Sequence, residues 1–221
     1  MSLSLAQRPR TLAAELLDDL PADHPDARGS RRDLRWFNAA LGNWRWLERR
    51  LLELTRPGER ILEIGAGTGE LGQRLTAAGL PWAGLDRAPR PLACPAGAAW
   101  HRHDIFRFDG WSEYSVVVGN LIFHHFDESQ LRALGERLRR HARVIVIGDL
   151  RRGRLQQVLF MALAGLIGAN RISRHDGWLS IQAGFRADEL AHLLGCEARD
   201  WEWKRERCQL SAYRMVIRRR P

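Results

Sequence analysis

The amino-acid sequence predicts an α/β fold built on a mainly parallel sheet. From residue 60 onward, short apolar runs typical of buried strands alternate with stretches in which apolar residues recur at helical spacing. The predicted strands are 60–65, 82–86, 98–103, 114–119 and 142–148, with helices near 70–79 and 128–140. Repeated β-then-α units of this kind form parallel sheets that helices cover on both faces.

The C-terminal third adds helices and a hairpin to this pattern. An apolar helical stretch at 154–168 is followed by a polar segment at 170–183 and a short helix at 186–194. Two last strand-like runs, 198–205 and 210–218, are close enough to pair as an antiparallel hairpin. The predicted sheet therefore has seven strands.

The sequence pattern of the N-terminal quarter predicts helices. Residues 10–20 have the pattern of a short amphipathic helix, and the Pro-, Asp- and Gly-rich stretch 20–29 predicts a linker. Ser30 and Asp33 have the spacing of a helix-capping pair, so a second helix is predicted to begin at Ser30. The Pro57-Gly58 pair is expected to end it.

Length and charge limit the possible organisation and partners. A chain of 221 residues suits one α/β domain with an appendage, so we expect a helical cap at 1–56 and a ligand-binding domain at 57–221. The net charge is +9, but Lys204 is the single lysine and the arginines are spread among acidic residues. This distribution favours a solvated surface over a groove for nucleic acid.

Cysteine usage and hydropathy indicate a cytoplasmic protein. The three cysteines lack the spacing of a zinc site or a disulfide framework. The first fifteen residues lack the basic-then-apolar order of a signal peptide. The longest apolar run, residues 158–169, is well short of the roughly 20 residues that span a bilayer. We therefore expect a reducing compartment and no transmembrane segment.

A glycine-rich turn follows the first predicted strand and indicates a ligand site. Gly65, Gly67 and Gly69 let the backbone turn sharply and approach a ligand that a Cβ would exclude. Asp86 ends the next strand, where a carboxylate can accept both hydroxyls of a ribose. The pattern also fits the dinucleotide fingerprint G-x-G-x-x-G. Glu63 beside the turn would repel a pyrophosphate and stabilise a cationic ligand, which favours S-adenosylmethionine.

These residues carry a resemblance to a known family. The Glu63–Gly69 pattern E-x-G-x-G-x-G resembles motif I of the class I S-adenosylmethionine-dependent methyltransferases, Asp86 matches their ribose acid, and 103–105 matches their third-strand end. Residues 114–125 are similar to the fourth-strand motif of small-molecule members. The resemblance implies a Rossmann-like seven-stranded fold, S-adenosyl-L-methionine as cofactor and S-adenosyl-L-homocysteine as product.

The resemblance also implies which residues bind the cofactor. Glu63 and Gly65 would hold the methionyl end, Asp86 the ribose, and Asp104 with Ile105 the adenine. Asn120 or its backbone carbonyl would line the donor site. The full implied set is Glu63, Gly65, Ala66, Gly67, Thr68, Gly69, Asp86, Arg87, Asp104, Ile105, Asn120 and Leu121.

The stretch 30–43 resembles the leader of a bacterial methyltransferase group with polyketide and quinone-type products. The family uses such a helix to cap the cofactor, so Trp36, Asn38 and Asn43 would contact donor or substrate. The alternative is that these side chains pack and cap the helix. The sequence leaves both interpretations open.

Two motifs that are absent from the sequence limit the kinds of acceptor we expect. The N/D-P-P-Y/F pattern of enzymes that methylate planar nitrogens is absent after the fourth strand, and so are the aspartates that would hold Mg²⁺. We therefore expect a metal-free reaction on a small aromatic or apolar acceptor. For a hydroxyl acceptor, His124 and His125 are the candidate bases and His175 the reserve. Neighbours in an extended chain point apart, so His175 and Asp176 are not expected to pair.

Several alternatives stay open from the sequence. The hydroxyl of a phenolic, quinone-like or polyketide compound is the favoured acceptor, and C-methylation on the same fold is the nearest competitor. An NAD(P)-dependent oxidoreductase is disfavoured by Glu63 and by the absence of any lysine before Lys204. A third alternative is a non-catalytic RNA-associated protein, which would contact RNA through its arginines. The apolar stretch 155–168 suits a core, a pocket wall or a peripheral membrane contact.

Overall fold

A computed structural model describes residues 9–17, 20–21, 24–206, 208 and 212–221. Its centre is one seven-stranded sheet in the order β3-β2-β1-β4-β5-β7-β6. The strands are β1 Ile61–Ile64, β2 Trp82–Asp86, β3 Ala99–Arg102, β4 Val116–Asn120, β5 Val144–Leu150, β6 Trp201–Glu206 and β7 Ala212–Arg219. The first five strands are parallel, and β7 lies antiparallel between β5 and β6. The predicted α/β sheet and its C-terminal hairpin are confirmed.

Helices cover both faces of this sheet. They are α1 Pro25–Leu41, α2 Asn43–Leu54, α3 Glu70–Ala77, α4 Glu128–His141, α5 Arg154–Leu166, α6 Arg171–Ala183 and α7 Glu189–Leu193. Two 3₁₀ turns, Gly110–Glu113 and Phe123–His125, flank β4. Helices α2 and α3 share one apolar core with the sheet, while α4 and α7 share the other. Within the described part of the chain, no helix combines the length and apolar character needed to cross a membrane.

The start of α1 corrects the sequence prediction. The helix begins at Pro25, where His24 caps it by accepting a hydrogen bond from the Asp26 N–H, so part of the predicted linker is helical. Ser30 is buried within the helix and donates to Asn170 Oδ1 at 3.2 Å, and Asp33 accepts from the Asn170 N–H at 2.9 Å. The predicted cap at Ser30 and Asp33 is wrong, because these side chains tie α1 to the start of α6.

Two further helix predictions in this region are wrong. The predicted single helix is divided at Gly42, whose φ of 64° is left-handed and whose N–H returns to the Ala39 carbonyl. The predicted helix at 10–20 is replaced over residues 9–15 by chain without regular secondary structure and by a turn at 16–17, while residues 18–19 lie outside the described residues. Tertiary hydrogen bonds hold this segment instead of helical ones.

The predicted polar segment 170–183 is helix α6. Asn170 caps it by accepting from the Ser173 N–H at 2.7 Å. A Cβ at Gly177 would lie 2.1 Å from the ring of Phe160, so the glycine allows α5 to pack closely on α6. The helix is specified by this cap and this close approach rather than by a strong apolar stripe. That is why sequence periodicity missed it.

Candidate active site

The candidate site lies where the strand order reverses, at the carboxyl ends of β1 and β4. In open α/β sheets this is the place where ligands bind. A cavity of about 710 Å³ opens there, within the range of about 300–1,000 Å³ typical of small-molecule sites. We call it the larger cavity; its walls include Gly65, Asp86, Arg87, Ile105 and Ile122.

The glycine turn after β1 forms part of this wall. Gly65, Gly67 and Gly69 have φ values of 65°, 54° and 81°, a region that other residues adopt at a cost. A Cβ at Gly67 would have the Gly65 carbonyl at 3.9 Å as its nearest neighbour, so space is open beside this turn. A Cβ at Gly65 would instead meet Ile122 at 2.7 Å. The turn therefore needs glycine for its backbone shape and for its close approach to the wall.

Asp86 is fixed at the end of β2 by two backbone donors. Its Oδ2 accepts from the Gly67 N–H and its Oδ1 from the Ala88 N–H, each at 2.8 Å. The carboxylate thus joins the glycine turn to the β2 loop and faces the larger cavity with its orientation fixed.

The other polar residues of the predicted set are held by near neighbours. Arg87 pairs with Asp104, which also accepts from the Phe106 N–H at 2.8 Å. The Thr68 hydroxyl donates to Glu70 at the start of α3, and Ala66 is buried under the turn. These contacts shape the loops around the larger cavity.

Glu63 lies buried beneath the glycine turn. Its carboxylate accepts a hydrogen bond from Trp82 Nε1 at 2.9 Å. Burial raises the pKa of Glu63 to about 8, and the hydrogen bond from Trp82 only partly opposes this, while Glu70 and Asp86 add to it. In the ligand-free protein the carboxyl is therefore mainly protonated at neutral pH. A cation close to it would favour its ionised form.

Asn120 connects the end of β4 to the first two helices. Its Nδ2 donates to Asn38 Oδ1 at 2.9 Å, and its Oδ1 accepts from Asn43 Nδ2 at 3.4 Å. Asn38 and Asn43 are buried and Trp36 is exposed. These contacts support the packing interpretation for both asparagines. Leu121, next along the chain, has a left-handed φ of 55°, which is unusual for a bulky residue and marks local strain beside the site.

A buried histidine–carboxylate pair follows this loop. His124 Nδ1 lies 2.7 Å from Asp149 Oδ1, and Asp149 Oδ2 accepts from the Phe123 N–H at 2.9 Å. Burial alone would lower the pKa of His124, but the Asp149 carboxylate outweighs burial and raises it. Asp149 fixes the ring orientation, so Nε2 points away from β5. The pKa of His125 is lowered, first by desolvation and then by His124.

Glu15 brings a second carboxylate to the histidines. Its Oε1 lies 4.0 Å from His124 Nε2 and 4.0 Å from His125 Nδ1, and it accepts a hydrogen bond from the Ser180 hydroxyl of α6. Of the described residues, Glu15, His124 and His125 form the one group of three possible metal ligands, with ligand atoms within 4.8 Å of one another. Glu15 is a residue of this site that sequence reasoning missed.

A second, mainly apolar cavity lies on the other side of this cluster. This smaller cavity has a volume of about 350 Å³ and is walled by α1, α5 and α6. Its apolar lining includes Leu34, Phe37, Leu159, Phe160, Leu163 and Ile181. Four residues, Glu15, His124, His125 and Ser180, line both cavities. The two cavities therefore meet at the histidine cluster.

The N-terminal segment 9–17 closes this junction from outside. The Arg10 guanidinium donates to the carbonyls of Ala183 at 2.8 Å and Phe126 at 2.9 Å, and it lies 4.5 Å from the centre of the Phe185 ring. At its other end, the N–H groups of residues 16 and 17 donate to Asp176 at 2.9 Å. The segment is thus anchored at both ends across the site.

His175 lies apart from the other two histidines. It is half-exposed on α6, outside both cavity linings as the described residues define them. Its Nδ1 is 3.0 Å from Asp176 Oδ1, so the expectation that these neighbours do not pair is wrong, because the segment is helical. Sequence reasoning also missed Asp149, whose signal was an acid at the end of an apolar strand.

Comparison with solved structures identifies the architecture. The plantazolicin methyltransferase BpumL, in complex with SAH, superimposes with a TM-score of 0.68 at 16% identity, covering 92% of this chain and 93% of that chain. The chain has the class I methyltransferase fold. No family model and no curated protein matches the sequence.

More distant structures share the class I methyltransferase fold. Magnesium protoporphyrin IX methyltransferase (ChlM) from Synechocystis PCC 6803, with bound SAH, gives a TM-score of 0.55 at 15% identity, covering 82% of this chain and 83% of that chain. The N-methyltransferase NodS from Bradyrhizobium japonicum WM9, in complex with SAH, gives 0.52 at 18% identity, covering 80% and 87%. In all three, the bound nucleoside is S-adenosyl-L-homocysteine.

Proposed function

We propose that the protein transfers a methyl group from S-adenosyl-L-methionine to a small-molecule acceptor. The observation that carries the proposal is the meeting of two cavities at Glu15, His124 and His125. One cavity has the glycine turn and acid expected for the donor, and the other is apolar. Solved methyltransferases of this fold that bind SAH support the choice of donor.

The residues around the larger cavity fit this donor. In the turn 65–69 every second residue is a glycine without a Cβ, and this turn would take the methionyl end, Asp86 the ribose, and Ile105 with Asp104 the adenine. Glu63 beneath the turn would favour the cationic end in its ionised form. The bound donor supplies an electrophilic methyl group on its sulfonium.

The acceptor we propose is a hydroxyl of a phenolic, quinone-like or polyketide compound. The smaller cavity suits an aromatic or apolar body, and its polar end is the histidine cluster. A base placed there would remove the hydroxyl proton, a contribution of about 10²–10⁴-fold. His124 is oriented for this by Asp149, and the lowered pKa of His125 keeps that ring neutral. Both would hold the acceptor oxygen near the junction.

The donor is tested by calorimetric titration with S-adenosylhomocysteine and, separately, NADH. We expect binding of the first and not the second; the reverse result would replace the proposal with an oxidoreductase. A labelled-methyl screen over phenols and quinones then identifies the acceptor.

The base is tested on the acceptor so found. We expect His124→Ala or His125→Ala to lower the single-turnover rate at least about tenfold. His175→Ala tests the reserve candidate in the same assay, and His141→Ala at the end of α4 is the control because His141 lines neither cavity. If His124→Ala, His125→Ala and His175→Ala all keep near-native rates, the base assignment is wrong, and C-methylation or an already ionised acceptor becomes the better account.

We also propose a metal-free reaction in the cytoplasm. Glu15, His124 and His125 are possible metal ligands, so the role of a metal ion can be tested at this cluster. We expect full activity in excess EDTA, and activity that is lost with chelator and restored by Zn²⁺ or Mg²⁺ would refute the proposal. The free state of Cys94, Cys196 and Cys208 is compatible with a reducing compartment.

A further inference from the structure

Helix α5 exposes large apolar side chains along its outer side, although it also packs Phe160, Leu163 and Ala164 against the protein. Gln156 and Gln157 are buried against the protein. On the outer side, Leu155 is 63% exposed, Val158 61% and Leu166 85%. Surface helices normally bury their apolar stripe and turn polar residues to water. The α5 outer face, which we define as Leu155, Val158, Leu159, Met161, Ala162 and Leu166, therefore has the character of an interaction surface.

The stretch of chain that carries this face has charge of one sign. Between Asp149 and Asp176 the chain has five arginines and no acidic residue. Arg154 begins α5 and Arg171 begins α6, and both are exposed, as is Arg151. The apolar face is thus flanked by guanidinium groups at both ends.

We propose that the α5 outer face binds the surface of an anionic lipid bilayer. A 13-residue helix lying flat would insert its leucine and valine side chains at the boundary of headgroups and acyl chains. The flanking arginines would pair with lipid phosphates. This inference uses only the surface of α5, so it stands whether or not the protein transfers methyl groups.

The position of the α5 outer face next to the smaller cavity is consistent with docking on a bilayer. Leu159 belongs to the α5 outer face and also lines the smaller cavity, together with the partly exposed Leu34 of α1. Docking of α5 on a bilayer would therefore bring the rim of the apolar cavity to the lipid. An apolar ligand could pass between membrane and cavity with little exposure to water.

Charge also decides between a bilayer and a second copy of the chain. In a two-fold dimer formed through α5, the arginines of one copy would lie near those of the other. Such like charges repel, whereas an anionic surface attracts every one of them. The bilayer is the occupant that satisfies both the apolar face and its basic ends.

Vesicle sedimentation tests the proposal with matched variants. The full chain is mixed with vesicles of phosphatidylcholine alone or with added phosphatidylglycerol, and the bound fraction is measured. Val158→Gln combined with Leu166→Gln changes the apolar face at constant charge, with the fully exposed Leu92→Gln as control. We expect the double variant to lower the partition coefficient at least about tenfold. The control should leave it unchanged.

The arginines are tested in the same assay. Arg154→Gln combined with Arg171→Gln should weaken binding to the anionic vesicles, while Arg132→Gln combined with Arg140→Gln on the exposed side of α4 removes the same number of charges elsewhere. Equal effects of the α4 pair and the flanking pair would mean that net charge alone drives binding, and would overturn the proposal. So would absence of vesicle binding, or a dimer in sedimentation velocity that the Val158/Leu166 variant dissociates.

Discussion

Replacing the buried Glu63 with glutamine should make the protein more stable, increasingly so as the pH rises. The side-chain oxygen of glutamine can still accept the Trp82 Nε1 hydrogen bond, so the change mainly removes the ionisation. The pKa of Glu63 is raised from 4.5 to about 8. Its neutral form therefore stabilises the fold fully below about pH 4.5, and this contribution is lost as the pH rises through 8.

The size of the effect follows from the two pKa values. A pKa difference of about 3.5 corresponds to about 5 kcal/mol over the whole titration, at about 1.36 kcal/mol per pKa unit. Between about pH 5.5 and about pH 8.5, the free energy of unfolding of Glu63→Gln should exceed that of the unchanged protein by a further ~3 kcal/mol.

Urea denaturation at a series of pH values measures this difference without any ligand. The exposed Glu136→Gln on α4 is the matched control, and its stability should follow the unchanged protein across the series. Parallel pH curves for Glu63→Gln and the unchanged protein would refute the reasoning, because they would mean that Glu63 titrates as an ordinary surface carboxyl.

Three further predictions concern the candidate site. Gly67→Ala should keep the fold, since its Cβ would meet no atom closer than 3.9 Å and the left-handed φ of 54° costs an alanine about 1–2 kcal/mol. It should lower the affinity for S-adenosylhomocysteine in calorimetry at least about tenfold, and unchanged affinity would contradict the turn assignment. Asp86→Ala should weaken the same ligand about 10- to 150-fold, and a loss under about threefold would exclude a ribose contact. Asp149 raises the pKa of His124, so Asp149→Asn should lower that pKa and shift the acidic limb of the pH–rate profile to lower pH. An unshifted profile would exclude His124 as the base.

The sheet could be predicted from sequence because its signals are local. Strands β1, β2, β4 and β5 are short, mainly apolar runs that are almost wholly buried, and the glycine turn at 65–69 carries its own backbone requirement. The donor-side residues Asp86 and Ile105 follow strand ends, so topology alone places them near the turn. Strand boundaries differ from the predicted ones by only one or two residues at most ends.

The acceptor side could not be predicted because its contacts join distant parts of the chain. Glu15 meets His124 more than one hundred residues away, and Ser30 and Asp33 serve α6 rather than their own helix. Helix α6 depends on the close packing of Gly177 against Phe160 of α5, and the spacing of apolar residues in the sequence does not reveal this contact. Segment 9–17 follows tertiary hydrogen bonds that override its helical pattern.

The N-terminal segment gives this protein a separately adjustable part. Residues 12–15 line the larger cavity, yet the sheet and its two apolar cores are built without them. Changes there can reshape the space around the histidines while Arg10 and Asp176 keep both ends of the segment attached. Substitutions at Leu12 and Ala13 are therefore a starting point for altering acceptor preference, and we expect them to change the free energy of unfolding little.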